Sequence, residues 1–224
     1  MHLFMRNLIF TALAAISILS VAGCNSRPAA TTETNGAYAS PVPDSNGKTL
    51  ANLQEAYNGE TNAHAKYLEY AKKADAEGYG KVASLFRAAA FAEGVHLKNH
   101  AAVIKQLGGE PKADIKLPEI KSTADNLKAA IDGETYERDT MYTEFMIEAR
   151  RTGNREALRS FNFAKTAEAE HAKLYADALA NLDKWKGDKT NFFVCPVCGY
   201  TTADPNLQKC PVDFTPKEKF EVVN

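Results

Sequence analysis

A pattern of glutamate and histidine that occurs twice constrains this 224-residue chain more than any other feature. Ala92-Glu93-Gly94-Val95-His96 matches Ala167-Glu168-Ala169-Glu170-His171, and Ala56-Tyr57-Asn58-Gly59-Glu60-Thr61 matches Ala130-Ile131-Asp132-Gly133-Glu134-Thr135. The offset is 74 residues between Glu60 and Glu134, and 75 for both members of the Glu-x-x-His pair. A shared period marks a duplicated helical hairpin. A repeat kept for packing alone has no reason to preserve glutamate and histidine.

These residues fall on four helical segments. Stretches rich in Ala, Glu, Lys and Leu, with few breakers, run from Leu50 to about Trp185. The first helix is expected over 50–76 with Thr49 as N-cap. The second runs over 81–107, between the Gly78–Gly80 turn and Gly108-Gly109. The third covers 123–151, and the fourth follows Gly153-Asn154 and ends near Trp185. The middle connection carries Pro111 and Pro118 and is the long one. Short, long and short connections describe an all-α four-helix bundle with one long crossover, as in ferritin-like folds, over 49–186.

Such a bundle can hold two metal ions with one Glu from each of two helices and a Glu-x-x-His from each of the others. Glu60, Glu134, Glu93-x-x-His96 and Glu168-x-x-His171 make that set. Residues three apart share a helix face, so each Glu and His reach one metal. Carboxylate oxygens and imidazole suit iron, and the same ligands serve an iron–manganese pair. Phe86, Ala90 and Phe91 precede Glu93, and Phe161, Phe163 and Ala164 precede Glu168. Carboxylates facing such a core without a cation would be costly, which argues against a metal-free structural module.

Residues 191–224 change character. Phe192 and Phe193 lead into Cys195-Pro196-Val197-Cys198-Gly199-Tyr200, and Cys210-Pro211-Val212-Asp213 follows a polar loop. The two facing knuckles resemble rubredoxin, in which four thiolates hold one iron. A module this small needs its metal to fold well. Asp213 stands where the pattern has its fourth cysteine. Three sulfurs and a carboxylate can still hold iron or zinc, or water can take the fourth position. A Cys195–Cys198 disulfide is the remaining reading, in an oxidising compartment.

Together these motifs resemble the rubrerythrin family over about Leu50 to the C-terminus. The resemblance implies a di-iron centre of two Fe held by Glu60, Glu93, His96, Glu134, Glu137, Glu168 and His171, with one Fe, or Zn, at Cys195, Cys198, Cys210 and Asp213. The extra Glu137 looks like the family's glutamate that holds one iron in the oxidised state, His96 holding it in the reduced state; these two are the candidate catalytic residues. Tyr67 and Tyr142 look like the family's tyrosines beside the ligands. The resemblance implies peroxidase activity on hydrogen peroxide, a homodimer in which the module serves the neighbouring subunit, and an electron donor not named by the sequence. The alternative is a ferritin-like protein that oxidises and binds iron; Glu137 and the module weigh against it. His64, one turn after Glu60, is expected to face solvent.

The N-terminus reads as an address. Residues 1–23 have a positive Arg6 and an apolar stretch from Leu8 to Val21, too short for a comfortable membrane span and proportioned like a signal peptide. Val21-Ala22-Gly23-Cys24 resembles a bacterial lipobox, with Cys24 the lipidated residue. Residues 24–48, rich in small and polar residues and proline, are expected to form a flexible tether. An exported lipoprotein attached to a membrane through its anchor alone is implied, on the periplasmic face, and at the outer membrane if the cell is Gram-negative. A plain signal peptide or a buried helix is the other reading. The formal net charge of −1 gives no basic footprint for nucleic acid.

Overall fold

Polar caps and glycine turns set the helix ends in the computed structural model, which describes residues 46–224. The expected signal peptide, Cys24 and the tether up to residue 45 lie outside them. Helix α1 spans Asn46–Ala76 and α2 spans Gly80–Gln106. Helix α3 spans Thr123–Tyr136, and the Ser122 hydroxyl caps it by accepting from the Asp125 amide. A π-helical turn, Glu137–Met141, joins α3 to α4, Tyr142–Arg151. Helix α5, Arg155–Ala180, is capped by Asn154, whose side chain accepts from the Ala157 amide at 2.9 Å.

Three expected boundaries change. Helix α1 begins at Asn46, so Thr49 is inside it and the tether loses its last residues. The buried Thr49 hydroxyl pairs with Thr152 Oγ1 at 3.1 Å instead of capping. The third helix, expected continuous over 123–151, is broken by the π turn, which accommodates one additional residue. The fourth ends at Ala180, and Leu182–Trp185 is a 3₁₀ turn.

Two apolar clusters fill the bundle. One contains Tyr67, Tyr70, Leu85, Phe86, Leu127 and Tyr175. The other contains Leu53, Ile104, Tyr142, Phe145, Met146 and Phe161. Along α1, α2, α5 and the continuous α3–α4 stretch the repeated glutamates and histidines fall between residues of the two clusters, so apolar side chains flank the polar site on both sides. Among the described residues, no helix is long and apolar enough to cross a membrane.

After α5 the chain turns back. The Gly187 amide donates to Gly78 O and the Gly80 amide to Gly187 O, both at 3.1 Å, and the Thr190 amide donates to Ser84 Oγ at 3.1 Å. This path along α2 delivers a three-stranded antiparallel sheet of order β2-β1-β3, with β1 Phe192–Val194, β2 Thr201–Thr202 and β3 Glu221–Val223. Phe193 lies opposite both Thr202 and Val222. Phe192 and Val194 are buried in the same cluster as Val82 and Ala89 of α2, so the cysteine module packs on the bundle of its own chain.

Candidate metal centre

The duplicated residues meet. Glu60, Glu93, His96 and Glu168 form one group with ligand atoms within 4.8 Å of one another, and Glu93, Glu134, Glu168 and His171 form a second. Glu93 and Glu168 belong to both groups, so they would be shared by a pair of metal ions, with Glu60 and His96 at one end and Glu134 and His171 at the other. All six side chains are fully buried. Glu60 Oε2, Glu93 Oε1, Glu134 Oε2, both Glu168 oxygens and His171 Nδ1 have no hydrogen-bond partner. Buried polar atoms without partners are rare in folded proteins. Here they point into a common space, as a pair of cations requires.

Electrostatics agree. Burial, reinforced by Glu168, Glu60 and Glu134, pushes Glu93 well above the usual carboxylate range. Burial does the same to Glu168. Burial opposes charge on His96, yet Glu168 and the other carboxylates around it pull its pKa well up. Glu60 is the exception: burial works against its charge, but His100 and His96 beside it hold it low. Without a cation the cluster draws protons, and metal ions bind in their place.

Both histidines are oriented by the cysteine module. His96 Nε2–H donates to the Cys198 carbonyl at 3.1 Å. The Thr201 hydroxyl donates to Gly199 O, so its oxygen accepts His171 Nε2–H at 3.0 Å. Each ring therefore turns Nδ1 toward the carboxylates. An outer partner of this kind fixes a ligating histidine's tautomer.

Tyr67 and Tyr142 sit where the sequence puts them, in crossed fashion. Tyr67 of α1 donates to Glu134 Oε1 of α3 at 2.6 Å, and Tyr142 of α4 donates to Glu60 Oε1 of α1. Glu137 lies on the π turn and is outside both groups, half-buried, with its carboxylate turned in beside Gly59. Burial, with Glu60 and Glu134, raises its pKa well above the ordinary value. His64 is half-buried rather than solvent-facing, because its Nδ1 meets Ala90 O of α2 at 2.6 Å; it does not join the cluster.

Sequence reasoning missed His100. It is fully buried, with Nε2 3.1 Å from Tyr142 OH and Nδ1 2.8 Å from Ser160 Oγ. Its position, seven residues after Glu93 and four after His96, is on the ligand face of α2, and that spacing was the available signal.

In the C-terminal module Cys195, Cys198, Cys210 and Asp213 form a third group of close ligand atoms. The three thiols are free, so no Cys195–Cys198 disulfide forms. Cys195 donates to Asp213 Oδ2 at 3.2 Å, and Cys198 and Cys210 sulfurs lie 3.4 Å apart. The bond from Cys198 lowers the Cys195 thiol to about 7, and burial pushes Cys210 up to about 11. A bound metal would take the place of these shared protons, with Asp213 in the fourth cysteine's position.

A family model described as Rubrerythrin matches residues 51–179. Nigerythrin of Nitratidesulfovibrio vulgaris is 40% identical over 175 residues, covering 78% of this chain and 86% of that protein. Rubrerythrin-2 of Clostridium acetobutylicum is 36% identical over 184 residues, covering 79% and 97%. The solved structure of nigerythrin in its fully reduced, all-ferrous state matches with a TM-score of 0.74 at 37% identity, over 89% of this chain and 100% of that one. Nigerythrin aligns beyond the bundle, so the likeness takes in the cysteine module as well as the glutamate–histidine cluster. The chain therefore belongs to the rubrerythrin family, with a di-iron site in its bundle and a rubredoxin-like iron site in its C-terminal module.

Proposed function

We propose that this protein is a di-iron peroxidase that reduces hydrogen peroxide to water, with electrons passed from the cysteine module to the bundle site. The observation that carries this reading is the 3.1 Å hydrogen bond from His96 to the Cys198 carbonyl. It joins a residue of each metal cluster through a single non-covalent step. An iron store has no use for such a link, and a structural zinc would leave it idle.

The metal pair supplies two electrons together and Lewis acidity toward the peroxide oxygens. The chain's own groups do the rest. Glu93 and Glu168 would hold both metal ions, and Glu60 and Glu134 one each, with their carboxylates held by Tyr142 and Tyr67. His96 is in the cluster and Glu137 outside it; by family resemblance these are the two residues between which one iron would exchange, His96 holding it when reduced and Glu137 when oxidised. Asp213 completes the ligand set of the module. We also read the protein as a homodimer and as exported and lipid-anchored through Cys24, with an electron donor outside the cytoplasm.

Turnover with excess peroxide and a chemical electron donor tests this reading. One peroxide should disappear per two electrons, with no ferric mineral accumulating. Continued consumption of added ferrous iron with a growing ferric core points instead to an iron-oxidising protein.

A further inference from the structure

The six buried ligands have no contact with solvent, yet reducing one peroxide to two waters takes up two protons along with two electrons. The chain must carry protons inward. We propose that Ser160, His100 and Tyr142 form a proton relay from the surface to Glu60, with His100 the central relay residue. The inference rests on the peroxidase reading for its purpose and on the hydrogen-bond geometry for its existence.

The direction of the relay is fixed by its donors. Tyr142 gives its hydroxyl proton to Glu60 Oε1, so its oxygen must accept from His100 Nε2–H, 3.1 Å away. A neutral imidazole protonated on Nε2 has a bare Nδ1, which accepts from Ser160 Oγ–H at 2.8 Å. Every donor points from Ser160 toward Glu60. Ser160 also lines a cavity of ≈ 70 Å³ with Asn99, Gln106, Glu156 and Arg159, large enough for water. A proton entering at Ser160 moves the relay along by one: Ser160 passes its own to Nδ1, Nε2 passes one to Tyr142, and Tyr142 passes one to Glu60, which would hand it on to a peroxide oxygen and return to its charged form; two such passages supply the two protons of one turnover. Nothing is oxidised or reduced along the way, and reversal of the hydroxyls and tautomer resets it.

The duplication supplies an internal comparison. At the 75-residue offset the counterparts of Tyr142, His100 and Ser160 are Tyr67, Tyr175 and Leu85. Tyr67 holds Glu134 as Tyr142 holds Glu60. Beyond it Tyr175 OH has no partner, and Leu85 is fully buried and apolar. Among the described residues, one tyrosine thus continues through His100 and Ser160 to a cavity, while the other leads to an unpartnered hydroxyl and an apolar side chain. A purely structural histidine in this layer would not need a serine at the far side opening onto one.

Two measurements test the relay. In metal-free protein, ¹⁵N NMR of the histidine rings should find His100 neutral with the proton on Nε2; an Nδ1–H tautomer or an imidazolium overturns the proposal. In reduced, iron-loaded protein, His100→Gly should slow single-turnover reoxidation by peroxide about tenfold or more and raise its solvent deuterium isotope effect. Added imidazole should restore the rate, while N-methylimidazole, which fills the space but cannot pass a proton between its nitrogens, should not. A rate within twofold of wild type, or equal rescue by both, overturns the relay. Ser160→Ala, the milder variant, should move the rate and isotope effect in the same direction, and Tyr175→Phe should move neither. If wild type ignores peroxide, the peroxidase reading fails, and the same comparison read with dioxygen, whose reduction also consumes protons, decides on the relay.

Discussion

At the scale of single residues, the centre is a set of unmet electrostatic demands. Glu93, Glu168, His96 and His171 all hold protons more tightly in the folded metal-free protein than outside it. Each such group stabilises the fold below its ordinary pKa, 4.5 for glutamate and 6.5 for histidine, and that contribution is lost as pH rises through the raised folded value. Glu60 and the buried His100 run the other way, their folded pKa values being lowered, so the four groups that run together set the direction. Metal-free protein is therefore expected to melt at lower temperature as pH is raised from about 5 to about 8, and iron-loaded protein, whose carboxylates face cations, to lose much less; parallel thermal scans check this. Tyr67→Phe removes the donor to a buried Glu134 oxygen. It should weaken metal binding by about 10- to 100-fold with the helix content unchanged, as read by metal titration and circular dichroism. The glutamates and histidines of the cluster were legible because their chemistry is repeated in the sequence. His100 was not, because its counterpart is Tyr175: a repeat search keyed on identity passes over a pair that differ.

At the scale of elements, the π turn is what the duplication arithmetic records. The offset between halves is 74 residues at Glu60 and Glu134 but 75 at Tyr67 and Tyr142. One residue has therefore been gained between Glu134 and Tyr142, and the π turn Glu137–Met141 takes it up there. The widened turn lets both Glu134 and Tyr142 face inward, and it carries Glu137, which the first half lacks. The numbers were in the sequence, yet helical periodicity alone reads the segment as continuous, since an α- and a π-turn share the same residue preferences. The other decisive element is the knuckle at Gly199. Its φ is +80°, and a Cβ there would overlap the His96 ring. Gly199→Ala should lift the knuckle off His96 and slow reduction of the bundle site by the module. Direct reaction of the reduced bundle site with oxidant should stay unchanged. Stopped-flow traces at wavelengths of the two iron sites separate these steps.

At the scale of the whole molecule, the linker lays the cysteine module on the bundle of its own chain. Its hydrogen bonds to Gly78, Gly80 and Ser84 run the chain back along its own α2, and the contact with His96 is made within one chain. The resemblance alone implies service to a neighbouring subunit; helix periodicity carries no information about where an eleven-residue connection, 181–191, turns. Mixed oligomers of a Glu93→Ala chain and a Cys210→Ala chain, co-expressed and isolated together, distinguish the two. The contact within one chain predicts no recovery of module-driven turnover, and recovery toward half of wild type indicates exchange between subunits. The leader and lipobox reading predicts that a Cys24→Ser chain is no longer labelled by fatty acid in cells and leaves the membrane fraction. The central claim is that the bundle site is built to react with peroxide, and it is tested most directly by stopped-flow oxidation of the iron-loaded, fully reduced protein, mixed separately with hydrogen peroxide and with dissolved oxygen. Peroxide should reoxidise the site far faster than oxygen, with about one peroxide consumed per di-iron pair and a following colour change at the cysteine module; reaction with oxygen as fast or faster, with the module silent, contradicts the account.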